Sequence, residues 1–129
     1  PCTNDGIAQD ISGNRIPGQQ NESYNIALTK TFETGNGAVD IRLSRKYRGQ
    51  MFMDIWNNER SDLPESSNGD LLVSFKPNNG DWYINGFIKN INDSRDLIYL
   101  RAGSNFQGGN VYGSITEPRT FGLMFGTSF

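Results

Sequence analysis

The chain has 129 residues, a formal net charge of −2 and no histidine. A near-neutral balance without a basic block excludes an ordinary nucleic-acid binder, and the missing imidazole excludes Ser-His-Asp or Cys-His catalysis and His-ligated zinc. An apolar content of 35% with 15 glycines is thin for a water-excluding core, yet sufficient for strands in which only alternate residues are apolar.

The length is that of one ordinary domain. The chain opens Pro1-Cys2-Thr3, without an initiator Met or an apolar signal segment, and is expected to be a piece of something longer. Cys2 is the single cysteine. It is either a free thiol or one half of an oxidised pair whose other half lies outside this segment.

Residues 1–19 read as loop, because Asn4-Asp5-Gly6, Ser12-Gly13-Asn14 and Pro17-Gly18 are closely spaced turn formers. A first strand follows over about 20–32, with Tyr24, Ile26, Leu28 and Phe32 on one face. Thr34-Gly35-Asn36-Gly37 signals a tight turn. The second strand, about 38–55, sets Val39, Ile41, Leu43, Tyr47, Met51 and Met53 against Asp40, Arg42, Ser44, Lys46, Arg48 and Gln50. Polar loop covers 56–68. A third strand at 69–76 turns at Pro77-Asn-Asn-Gly-Asp81 into a fourth at 82–92. A long Gly/Asn/Ser-rich loop over about 93–117 precedes a last strand at 119–129.

No run approaches the roughly 20 apolar residues of a spanning helix, so a membrane role would have to use strands. The last strand has the pattern for it. Phe121, Leu123, Phe125 and Phe129 share one parity, with Thr120, Gly122, Met124, Gly126 and Ser128, mostly small or polar, on the other. Tight turns at one end alternate with long loops at the other, as in outer-membrane barrels. If the first turn pairs Phe32 with Val39, then Leu28 opposes Leu43 and Tyr24 opposes Tyr47. The two aromatic levels then stand roughly 20 Å apart in tilted strands. By the same logic Phe75 opposes Trp82 and Val73 opposes Ile84. Lys30 and Arg45 break the apolar parity, where a charge at mid-membrane costs roughly 2–4 kcal/mol, but each lies near enough to a rim to snorkel.

Four phrases then resemble the C-terminal part of TonB-dependent outer-membrane receptors. Asp10-Ile-Ser-Gly-Asn-Arg-Ile-Pro17 resembles that family's D-x-S-G-N-R-L-P. Arg45-Lys-Tyr-Arg-Gly49 is similar to Y-R-Y-R-G, with Arg45 where a tyrosine is usual. Trp82-Tyr-Ile-Asn-Gly-Phe-Ile-Lys-Asn-Ile-Asn-Asp93 and Glu117-Pro-Arg-Thr-Phe-Gly122 resemble two late phrases of the family. The resemblance implies an all-β fold, an antiparallel transmembrane β-barrel segment forming the last five strands of a 22-stranded barrel. It places the chain in a bacterial outer membrane, with residues 1–19 as an extracellular loop and the plug domain absent. It implies a part in TonB-coupled uptake of a scarce nutrient of siderophore, cobalamin or glycan type, not an enzyme, with no cofactor or metal. The implied partners are the upstream strands and plug of the same receptor, outer-membrane lipid, TonB, the barrel-assembly machinery and the small-molecule or glycan substrate, with no nucleic acid.

On that reading Phe121, Leu123, Phe125 and Phe129 form a barrel-assembly signal, or simply face lipid. Asp40, Arg42, Lys46 and Arg48 face the lumen and plug, or are solvated wall charges. Trp56, Asn57, Asn58, Arg60, Tyr99, Arg101, Phe106 and Tyr112 are candidate ligand-loop residues, because aromatic, Asn and Arg side chains stack on sugars or hold anionic chelates. Packing of the loops against one another is the simpler reading of these. Asp62, Glu65, Asp93, Asp96 and Glu117 match no calcium-loop spacing. The alternatives are a soluble all-β carbohydrate-binding module, with the aromatics as a sugar platform, and a plain porin segment. A sandwich of the first kind should bury the last strand beneath a second sheet.

Overall fold

Thr34 and Gly37 close a two-residue turn, and the Thr34 hydroxyl donates to the Gly37 carbonyl at 2.6 Å. The turn fixes the register of the strands around it. The structure, a computed structural model, describes residues 10–103 and 109–127. Its strands in chain order are β1 (Ser23–Thr34), β2 (Gly37–Arg48), β3 (Met51–Phe52), β4 (Asp62–Leu63), β5 (Ser66–Pro77), β6 (Trp82–Lys89), β7 (Leu97–Ala102), β8 (Val111–Ile115) and β9 (Thr120–Thr127). A 3₁₀ turn, Glu59–Ser61, precedes β4. Cys2, Phe106 and Phe129 lie outside the described residues.

Five strands form one antiparallel sheet in the order β1-β2-β5-β6-β9, while β3-β4 and β7-β8 are two further separate sheets. The first hairpin has the expected register, with Phe32 opposite Val39, Leu28 opposite Leu43 and Tyr24 opposite Tyr47. The second hairpin does not. Phe75 faces Ile84 and Val73 faces Gly86, a shift of two residues. The cause is a longer turn, in which Asn78 is tied to the first turn through its amide to Asn36 O (3.0 Å) and its side chain to Gly35 O (3.2 Å). Gly80, at φ +143°, lies against the Trp82 indole. A shift of two keeps every side chain on its face, so the parity survives.

The expected barrel is corrected here. Closing a cylinder requires the first and last strands to pair, and β1 and β9 are instead the two free edges of an open sheet. The antiparallel transmembrane β-barrel segment, the last five of 22 strands, is therefore replaced by three open antiparallel sheets. The TonB-coupled outer-membrane uptake role was built on that cylinder and is corrected with it. So are the bacterial outer-membrane location and the partner set of upstream strands, plug domain, lipid, TonB, barrel-assembly machinery and transported substrate. A plain porin needs the same closure. Among the described residues no helix is long and apolar enough to cross a membrane.

The strand expected over 38–55 ends at Arg48. Gly49 is buried, its amide donates to Glu22 O at 2.8 Å, and a Cβ there would lie 3.1 Å from the same oxygen. This close approach turns the chain out of the sheet, and Met51 and Phe52 pair with Leu63 and Asp62 instead. The expected long loop after residue 92 contains the β7-β8 hairpin, which has a register shift between Leu97 and Tyr99.

A domain ordinarily hides one sheet face beneath a second layer. Here Leu63 is the one fully buried large side chain among the described residues. Leu28, Leu43, Val73, Ile84 and Leu123 all lie on one face of the main sheet, which no second layer covers among the described residues.

Candidate functional site

The pairing lists of the main sheet generate an apolar grid. Its row nearest the first turn is Phe32, Val39, Phe75, Ile84 and Phe125. The next is Lys30, Ile41, Val73, Gly86 and Leu123, and the third is Leu28, Leu43, Leu71, Ile88 and Phe121. Leu123 is 84% exposed, Phe121 79% and Leu28 70%. Gly86 leaves a notch in the middle row, a cavity of about 330 Å³ between Leu71, Val73, Ile88, Phe121 and Leu123.

Aromatic rings stand at both ends of this face. Tyr24 and Tyr47 stack at 5.0 Å between centroids with planes 17° apart. At the other end Trp82 touches Phe75 at 5.7 Å and stacks on Phe125 at 6.0 Å. Rings stacked across neighbouring strands turn their faces toward each other, which leaves free outer faces mainly on Tyr24 and Phe125, the members on the edge strands. Tyr47 also donates its hydroxyl to Glu65 at 2.7 Å. That bond, helped by burial and the negative charge of Glu65, pushes the phenol up to about 12.

The two charges on this face are accommodated locally. Arg45 sits opposite Gly69 and donates from Nε to Ser67 Oγ at 2.9 Å. Lys30 holds its ammonium 5.8 Å from the Phe32 ring centroid.

Asp40, Arg42, Lys46 and Arg48 point to the opposite face, as alternation along β2 requires. Asp40 accepts the Thr31 hydroxyl at 2.6 Å. Arg48 donates to the carbonyls of Pro64 (2.8 Å) and Leu97 (3.0 Å), pinning the base of β7 to the main sheet. On the same face Phe87 lies over Gly122 and Tyr83 over Gly126. These contacts explain the small residues of β9: a glycine in an edge strand receives an aromatic ring from its neighbour.

The proposed ligand-loop residues separate into two groups. Tyr99 and Arg101 alternate on β7, and Tyr112 opposes Arg101 on β8, so these three share one face of a two-stranded ribbon. Trp56, Asn57, Asn58 and Arg60 belong instead to the connection around the 3₁₀ turn. Asn57, at φ +49°, accepts the Arg15 amide at 2.5 Å and donates to the Arg15 carbonyl at 3.1 Å. It is a clamp on the N-terminal segment. Asn58 caps the 3₁₀ turn through the Arg60 amide at 2.9 Å. Asp54 collects the Trp56 amide, the Asn58 side chain and the Ser61 hydroxyl. Trp56 and Arg60 remain exposed.

Sequence reasoning missed the polar hub of the molecule, Asn90. It is 3% exposed at φ +52°. Its side-chain amide donates to Ser94 O (2.9 Å) and Glu117 O (2.8 Å), its side-chain oxygen accepts from the Ser94 amide (3.1 Å), and its own amide donates to Asp70 (3.0 Å). Asp93, three residues on and also at positive φ, accepts the Arg119 amide at 2.8 Å. That hydrogen bond holds its carboxyl below the usual value against the opposing effect of burial, and the positive charges of Arg95 and Arg119 add to it. Together the two residues tie the end of β6 to the start of β9. The signal available in the sequence was Asn-Ile-Asn-Asp, since Asn and Asp tolerate the left-handed region.

Compared with protein-family models, with curated proteins and with solved structures, the chain has no match. The resemblance to TonB-dependent receptors is corrected by the three open sheets, which do not close into a barrel. It rested on four short phrases, and two of them play local structural parts here: Arg45-Lys-Tyr-Arg-Gly49 ends a strand, and Asn90 to Asp93 knots a turn.

Proposed function

We propose that this chain is a non-catalytic β-sheet binding module whose working surface is the apolar face of the five-stranded sheet and whose partner is an apolar, β-rich polypeptide surface. The observation that carries the reading is the contrast between that face and everything else. Five strands spaced about 4.8 Å apart and roughly 25 Å long present on the order of 600 Å² on one side. Monomeric proteins rarely leave apolar patches beyond a few hundred Å² uncovered. A standard interface takes about 800 Å² from each partner, so this face with its margins approaches a complete binding surface.

The edge supports the same reading. Thr120–Thr127 contains no charged residue and no proline, the devices that ordinarily block strand addition. Hydrophobic-dye binding and sedimentation test the proposal. The isolated chain is expected to bind the dye and to self-associate, and Leu123→Lys with Phe121→Lys should suppress both while leaving the far-ultraviolet circular dichroism of the sheet intact. A chain that stays monomeric and binds no dye overturns it.

A second reading, a carbohydrate-binding module, draws on the ring faces left free on Tyr24 and Phe125 at the sheet margins. Calorimetry against neutral oligosaccharides separates the two. Saturable heat lost on Phe125→Ala favours the sugar, while dye binding without sugar binding favours the polypeptide partner.

A further inference from the structure

The opposite face of the sheet has a different chemistry. Its register places Arg42, Lys46, Arg48, Lys76 and Lys89 there against three carboxylates, Glu33, Asp40 and Asp70. This face therefore carries a positive excess in a chain whose net charge is −2. The three carboxylates do not pair with the cations. Asp40 accepts from Thr31 and Asp70 from the Asn90 amide, and the salt bridges among the described residues all involve Asp93.

Arg48 is spent on three backbone carbonyls, those of Gly49, Pro64 and Leu97. Arg42 and Lys46 are both exposed and are not among the hydrogen-bonded or ion-paired side chains of the described residues. They stand four residues apart on β2, about 13 Å in an extended strand. Around them the floor is short: Asn25, Ala27 and Thr29 on β1, Ser44 between them, and Leu72, Asp70 and Asn68 on β5, where the Asp70 carboxylate accepts the Asn90 amide. Two long cations rising from such a floor are open to an incoming chain.

We propose that the polar face of the sheet docks an acidic polypeptide segment, whose carboxylates pair with Arg42 and Lys46. Arg42 offers a planar fork suited to a bidentate carboxylate, and Lys46 a point charge for a second one. The segment lies extended along β2, so that acidic residues four apart in an extended chain meet both cations. This surface is independent of the apolar one, and either can fail without the other.

The test is fluorescence anisotropy with a labelled extended peptide bearing two aspartates four residues apart, compared with the same peptide carrying asparagine at both positions. The acidic peptide should bind, weaken steeply as salt rises, and lose about tenfold or more in affinity on Arg42→Gln with Lys46→Gln. Arg45→Gln, on the other face, should leave binding unchanged, and circular dichroism confirms that each variant keeps its sheet. Equal binding of the neutral peptide overturns the proposal, as does indifference to the double substitution. A non-peptide polyanion such as polyphosphate that binds as tightly as the acidic peptide also overturns it, because the site would then read charge alone.

Discussion

The Phe87 ring fills the space above Gly122, so that a Cβ at residue 122 would lie 2.6 Å from Phe87 Cζ. The two residues are cross-strand partners on β6 and β9. Gly122→Ala therefore overpacks the contact, and the expected destabilisation is about 1–3 kcal/mol. Because Gly122 is not in the left-handed region, the whole effect is steric. Adding Phe87→Ala to Gly122→Ala should restore part of the loss, which a double-mutant cycle in urea would measure. Additive losses would show that the ring and the glycine are uncoupled.

Asn90 gathers the backbone of the Ser94 turn, the carbonyl of Glu117 and the end of β6 in one buried side chain. Asn90→Ala leaves those groups without partners and puts a Cβ-bearing residue without local hydrogen bonds at positive φ, with an expected cost on the order of 2–4 kcal/mol. Asn90→Gly relieves the backbone and not the hydrogen bonds. Thermal denaturation of both variants separates the two contributions, and a glycine variant as stable as the parent would show the side chain to be dispensable.

Tyr47 is expected to ionise late. Its phenol is pushed from 10.0 to about 12, first by the hydrogen bond it donates to Glu65. A raised pKa means that the fold favours the protonated phenol. The contribution is complete below pH 10 and is lost as pH rises from there through 12. Spectrophotometric titration near 295 nm should show one late phenol, absent in Tyr47→Phe and moved back toward 10 by Glu65→Gln. An unchanged late phase in Glu65→Gln would assign it elsewhere.

Much of this sheet was legible because its period is two. Tyr24 through Phe32 and Val39 through Tyr47 alternate with one charged exception each, Lys30 and Arg45, and the Gly35-Asn36 turn leaves one register that pairs them. The second hairpin slipped by two residues because its register depends on Asn78 bonding back to another turn, a contact between segments more than forty residues apart. The break at Gly49 was hidden for the same reason. Alternation continues through Met51 and Met53, and only the approach of Glu22 ends the strand. The barrel was inferred from a one-sided strand pattern, and such a pattern specifies that a face must be covered without specifying what covers it. Asn57 illustrates the limit at the candidate site. Its residue type fits ligand binding and loop packing alike, and only the geometry shows the side chain held by Arg15.

Leu63 and Leu123 make the final contrast. Leu63 is fully buried, and Leu63→Ala should cost about 2–5 kcal/mol in the isolated chain. Leu123 is 84% exposed, so Leu123→Ala should change the stability of a monomer by no more than about 0.5 kcal/mol. If a partner covers the apolar face, the second number cannot stay small in its presence. Binding to the folded state alone raises stability by an amount set by affinity, and truncating an interface residue lowers that amount. The melting temperature of Leu123→Ala should therefore match the parent at high dilution and fall below it where the sheet face is occupied, whether by a second copy or by another protein. Leu63→Ala should be depressed equally under both conditions. A Leu123→Ala deficit already present in the dilute monomer would mean that this side chain is packed within the chain itself, and the sheet would have to be read as covered.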